Sequence, residues 1–220
     1  FVLGGNGDIG SEVVEKFKRA GFSVVAPSSK VLDLSDLASV EGYFKSHTPD
    51  ASILIHCAGV NEPKPCDALT SKDLAKTMAI NTFGFFRVVQ HFLPCLKADG
   101  SGSIVVISSV YGTFARDGRL AYVMSKHALN GLVKTLAIEL GQFNIKVNAV
   151  SPGFVNTKMT RKNNSEETIA DFKRKIPLGR LASPAEIASA VFFLCSQENS
   201  YITGHDLMVD GGYSVGGFQK

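Results

Sequence analysis

Short, nearly unbroken apolar runs alternate along this chain with longer stretches whose apolar residues recur every three or four positions. The runs are 1–4, 23–26, 31–34, 52–56, 103–108, 146–151 and 206–209, and their length and β-branched content read as strands. SILIH (52–56) and SIVVIS (103–108) are almost continuously apolar, which suits a parallel strand covered on both faces. The stretches 9–20, 36–47, 71–97, 122–141 and 184–197 have the periodicity of amphipathic helices. Such alternation predicts βαβ units with right-handed crossovers. The expected fold is a single α/β domain over 1–220, with a doubly wound parallel sheet of about seven strands and helices on both faces.

Two connections break the rhythm. Residues 27–30 join the second and third runs, too few for a helical crossover, so a turn should replace one helix. Residues 154–183 are long and polar, with seven basic residues against three acids, a local excess of +4. That connection reads as a mobile substrate-binding lid or as a solvated charged surface.

Composition narrows the function. At 220 residues, 45% apolar and 20% charged, the chain has the make-up of a globular protein with one sizeable core. A formal charge of +3 is too small to argue for nucleic acid or a membrane surface. There is no 18-residue apolar span and no signal-peptide pattern. The chain opens inside a strand-like run, so native residues are expected before Phe1. Cys57, Cys66, Cys95 and Cys195 form no CxxC pair and no ligand cluster. They read as free thiols in a reducing compartment, with cytoplasm the default location and no metal expected.

The stretch LGGNGDIG lies between the first strand and the first helix. Gly4, Gly7 and Gly10 are three apart, as a dinucleotide loop needs. One glycine turns tightly, one lets backbone approach a pyrophosphate, and one lets the helix pack on the sheet. Free N–H groups at the helix start would face the phosphates. Asp8 falls where a carboxylate can cap its own helix, pointing away from those phosphates. After the second run stand Ser28, Ser29 and Lys30 with no acid. Two hydroxyls and an ammonium suit a 2′-phosphate, so NADP is favoured over NAD.

The stretch ISSVYGTFARDGRLAYVMSKHALNGL (107–132) holds Ser109, Tyr122 and Lys126. Tyr122 and Lys126 are four apart and share a helix face, so the ammonium can favour the phenolate and hold a ribose hydroxyl. Ser109 ends a buried strand, where such sheets bind ligands, and its hydroxyl can orient a carbonyl.

With these motifs in order, the chain resembles the short-chain dehydrogenase/reductase family over essentially its whole length. Gly4, Gly5, Asn6, Gly7, Asp8, Ile9 and Gly10 are similar to the family's glycine loop, and Asp33-Leu34-Ser35-Asp36 to its adenine-contacting segment. Cys57-Ala58-Gly59 stands where the family has Asn-Ala-Gly. Asn81, Ser109, Tyr122 and Lys126 match its four-residue catalytic set, and Ser151-Pro152-Gly153 with Thr157 its nicotinamide-side segment. The glycine spacing is that of the family's longer, sugar-nucleotide-acting branch. The C-terminal half is similar to 3-oxoacyl-[acyl-carrier-protein] reductases.

The resemblance implies a Rossmann fold and hydride transfer between a nicotinamide and a ketone–alcohol pair. Tyr122 would be the general acid, Lys126 would lower its pKa, Ser109 would polarise the carbonyl and Asn81 would support a proton-relay water. Val155 would contact the carboxamide. A homotetramer or homodimer is also implied. The runner-up is an NAD-dependent dehydrogenase of a sugar or nucleotide-linked substrate, and a non-catalytic dinucleotide sensor is a third reading. The basic lid points to an anionic or carrier-linked substrate. His56 reads as a buried, hydrogen-bonded histidine, and Phe83, Phe85, Phe86 and Phe92 as core or subunit contact.

Overall fold

The computed structural model describes residues 1–216 and 219. Five strands, β1 (Val2–Leu3), β2 (Ile53–His56), β3 (Gly102–Ile107), β4 (Ile145–Pro152) and β5 (Asp206–Val209), form one sheet in chain order. Every pairing is parallel. Side chains alternate across each strand, so one apolar run feeds two cores. Leu54, Ile104, Val106 and Val147 face α2 (Leu37–Ser46), α4 (Gly84–Asp99) and α5 (Leu120–Leu140). Ile55, Val105, Ile107 and Val150 face α1 (Asp8–Arg19) and α8 (Pro184–Cys195). Covered on both sides, the sheet is doubly wound as expected.

Its strand number differs from expectation: five among the described residues, not seven. Residues 23–26 and 31–34 are not strands. The first lies beside β1 but makes one backbone bond to it, from Val2 N–H to the Val25 carbonyl (2.9 Å). The short connection then folds back, with Val31 and Leu32 N–H both donating to the Ser28 carbonyl (2.9 Å each). A strand needs a partner along its length; a turn this tight leaves none. Leu32 and Leu34 still reach the core.

Helix starts follow local chemistry. The α8 start has a capping box of Ser183 and Glu186 with Pro184 first in the helix, and α3 (Ser71–Met78) has one of Thr70 and Asp73. The stretch 71–97, expected as one helix, is α3 and α4 joined by a π-turn, Ala79–Phe83. Between β4 and α8 the expected loop contains α6 (Lys158–Asn163) and α7 (Glu166–Lys175). Phe172 of α7 stacks on Phe154 with centroids 3.8 Å apart, docking the segment on the body. Among the described residues no helix is long and apolar enough to cross a membrane.

Candidate active site

Parallel strands send their loops to one edge of the sheet, and a cleft of about 710 Å³ opens there. Gly4, Asn6, Gly7, Asp8, Ile9 and Gly10 form one wall. Gly4 has φ +75°, and a Cβ there would stand 2.5 Å from Ala58 N; one on Gly10 would stand 2.1 Å from the Gly4 carbonyl. These two glycines are packing requirements. A Cβ on Gly7 would meet only the Gly4 carbonyl, at 3.4 Å, so its outer side is open to an approaching group. The α1 helix is capped by Gly7, with no side-chain cap, so its first-turn N–H groups are left without a side-chain partner.

Asp8 does not cap its own helix, contrary to expectation. It is already the first residue of α1, and its Oδ2 accepts from the Lys158 N–H at 2.6 Å, across 150 residues of chain. Its carboxylate caps α6 and ties the lid segment to the glycine loop. The far rim accordingly includes Thr157, Lys158 and Met159.

Ser28, Ser29, Asp33 and Leu34 also line the cleft, as do Cys57, Ala58 and Gly59. Lys30 is exposed and stands outside the lining. Asp33 is tied down by bonds from the Ser35 N–H (2.8 Å) and hydroxyl (2.7 Å). Pro152 ends β4, Val155 is buried and bridges Ala182, and neither reaches the cleft. Gly153 lines a smaller cavity beside it. Open loop, free amides and an elongated floor together fit a dinucleotide.

The small cavity, about 90 Å³, is lined by Ser109 and Tyr122, though not by Lys126 or Asn81, and shares Met159 with the cleft. Ser109 caps a short 3-10 turn, Val110–Gly112, its Oγ accepting from the Tyr111 N–H (3.1 Å). The same hydroxyl lies close enough to the Tyr122 phenol to favour its ionised form. Lys126, one turn on, is 3% exposed and donates to the Ile107 carbonyl at 2.7 Å. A Cβ on Gly59 would stand 3.5 Å from Asn81 Oδ1 and 3.7 Å from Lys126 Nζ, so cleft floor and catalytic helix meet there.

Asn81 lies in the π-turn, a frequent marker of functional sites. Its amide clamps the β2 loop, Oδ1 accepting from the Val60 N–H (2.8 Å) and Nδ2 donating to the Val60 carbonyl (3.0 Å). Nδ2 also donates to Ser125 Oγ (2.9 Å). His56, fully buried, donates from Nε2 to the Asn81 carbonyl at 3.1 Å and stacks on Phe85.

Burial governs the titrations. It pushes the Tyr122 phenol up to about 12, against the pull of the nearby Ser109 hydroxyl. It pulls Lys126 down to about 8. The raised phenol reflects burial; the Lys126 ammonium is held by the Ile107 carbonyl, 5.5 Å from the tyrosine ring centre. Cys57 is half-buried in the cleft floor, its thiol pushed up to about 12 by desolvation.

Two site residues escaped the sequence reading. Arg116 and Arg119 line the small cavity together with Asn61, Asn163 and Asn164. The signal was present in ARDGR, just before Tyr122, but lone arginines before a helix look like solvated charge.

A family model described as enoyl-(acyl carrier protein) reductase matches residues 6–214. A tropinone reductase homolog of Datura stramonium is 36% identical over 216 residues, 94% of this chain and 79% of that one. The 3-oxoacyl-[acyl-carrier-protein] reductase FabG of Thermotoga maritima is 38% identical over 74% of this chain and 66% of its own. The aldohexose dehydrogenase of Thermoplasma acidophilum superposes with a TM-score of 0.88 at 30% identity, covering 97% and 93% of the two chains. A 4-hydroxyisoleucine dehydrogenase structure with NADH has a TM-score of 0.89 at 29% identity, over 98% of each chain. ElxO with NADP bound has 0.86 at 27%, over 97% and 98%.

Proposed function

The chain belongs to the short-chain dehydrogenase/reductase family, and we propose that it interconverts a ketone and a secondary alcohol with NADP(H). The reading is supported by one observation: Ser109 and Tyr122 line a small cavity that shares Met159 with the cleft, and Lys126 lies behind Gly59 of the cleft floor. When bound, the dinucleotide supplies the hydride. The glycine loop and the α1 amides hold its phosphates. Ser109 donates to the substrate carbonyl and fixes its position. Tyr122 keeps its proton at neutral pH, because burial holds the phenol near about 12, and so stands ready as the acid of reduction. Lys126 places positive charge beside the phenolate that forms, and Asn81 holds the loop between them. Free cysteines support a reducing, cytoplasmic setting.

NADP(H) rests on Ser28, Ser29 and the Lys30 ammonium at the cleft's edge. A second reading, NAD(H), has its own support: the Asp33 carboxylate lines the cleft and Lys30 does not. One experiment addresses both. NADPH and NADH oxidation are followed in parallel against a panel of ketosugars, oxo acids and acetoacetyl thioesters, with wild type and Tyr122→Phe. We expect turnover with NADPH preferred, and a loss of 10²-fold or more in Tyr122→Phe, on the order of a lost general acid, with dinucleotide affinity nearly unchanged. Turnover surviving in Tyr122→Phe rejects the mechanism. Equal or better use of NADH rejects the Ser28–Lys30 argument.

A further inference from the structure

Arg119 is 6% exposed, yet among the described residues no carboxylate lies within ion-pair distance of it or of Arg116. Charged side chains are almost never this buried without a counter-charge. Its partners are neutral: Asn61 Oδ1 (3.3 Å), the Asn163 carbonyl (3.2 Å) and Asn164 Oδ1 (3.4 Å). Arg116 donates to the Tyr111 hydroxyl (3.3 Å) and to the same Asn164 Oδ1 (3.5 Å). All five bonds are long beside the 2.7–2.9 Å usual for a guanidinium on a carboxylate. Two like charges thus share one amide oxygen. Burial, then the charge of Arg116, disfavours the charged form of Arg119.

Both guanidiniums line the cavity that holds Ser109 and Tyr122. Neither is left mobile. Arg119 stands at the start of α5, and Arg116 lies over the Phe172 ring of α7 at 4.8 Å. Asn163 and Asn164 come from the α6–α7 junction, so that docked segment completes the wall.

We propose that Arg116 and Arg119 form an anion subsite for a carboxylate carried by the substrate itself, making the substrate a small oxo acid or hydroxy acid. The missing counter-charge is then supplied only when substrate binds. A cavity of about 90 Å³ shared with Ser109 and Tyr122 requires the carboxylate to lie within a few bonds of the carbonyl. A planar carboxylate also matches the fork of a guanidinium, which can release its long bonds to the asparagines.

This inference rests on the proposed ketone–alcohol chemistry, and the test separates the two. Wild type and Arg116→Gln, a half-buried position whose loss leaves Arg119 in place, are assayed with acetoacetate, with methyl acetoacetate and with dihydroxyacetone phosphate. Wild type should prefer acetoacetate to its neutral ester in kcat/KM. Arg116→Gln should lose about ten- to a hundred-fold in kcat/KM for the acid, the range of one charged hydrogen bond, with little change for the ester. A preference for the ester, or an equal loss on both substrates, overturns the subsite. A preference for the phosphate ester replaces the carboxylate by a phosphoryl group and overturns the oxo-acid assignment. If no substrate turns over, the ketone reading fails, and thermal stabilisation by acetoacetate still decides the subsite. A shift present in wild type and absent in Arg116→Gln supports it, and no shift in wild type rejects it.

Discussion

His56 shows how one residue ties stability to the site. It is fully buried, stacked on Phe85, and its Nδ1 has no hydrogen-bond partner. Burial first, then the nearby Lys126 charge, pull its pKa down to about 3, against the backbone bond to Asn81. An unfolded histidine titrates near about 6.5. The depressed folded value means that stability is fully present above the unfolded pKa. It is lost as pH falls from there toward about 3, at about 1.4 kcal/mol per pH unit. Urea unfolding midpoints of wild type should therefore fall more steeply below about pH 6.5 than those of His56→Asn. Parallel pH dependences would show that the imidazole is not held neutral.

At the scale of elements, the bond from Lys158 to Asp8 ties the start of α6 to the glycine loop. The α6 helix has only six residues and is too short to be stable alone. Two caps hold its start: Thr157, whose side chain accepts from the Thr160 N–H, and Asp8 from the glycine loop. Removing a cap costs about 1 kcal/mol. Asp8→Ala should therefore speed amide exchange over 158–163 about five-fold, while α1, whose cap is Gly7, exchanges as before. Unchanged exchange in α6 would mean that the carboxylate does not hold it.

For the whole molecule, the aromatic-rich helix divides its phenylalanines. Phe85 and Phe92 are fully buried, while Phe83 is 55% and Phe86 41% exposed. Leu120 and Met124 at the start of α5 are exposed to a similar degree, and the π-turn packs against α5. We propose that these exposed apolar side chains meet a second copy of the chain. Light scattering should give a dimer or tetramer, and Phe86→Glu should shift it toward monomer. A monomeric wild type would leave these side chains without that role.

Much was legible in sequence because it is periodic or local. Strand alternation, helical spacing, the glycine loop and the four-residue step from Tyr122 to Lys126 are set within a few residues of one another. They led to the family, the doubly wound sheet and the reactive side chains. Residues 23–26 and 31–34 look like strands in isolation, but a strand exists only if a neighbour offers a ladder, and here the turn at 28–32 withdraws it. Asp8 looks like a cap, and is one, but for a helix 150 residues away. Arg116 and Arg119 look like surface charge until the α6–α7 junction closes over them. The sequence by itself determined what chemistry the chain carries. Only the tertiary structure decided which charges are buried together, because burial and pairing depend on segments that the chain brings close through space.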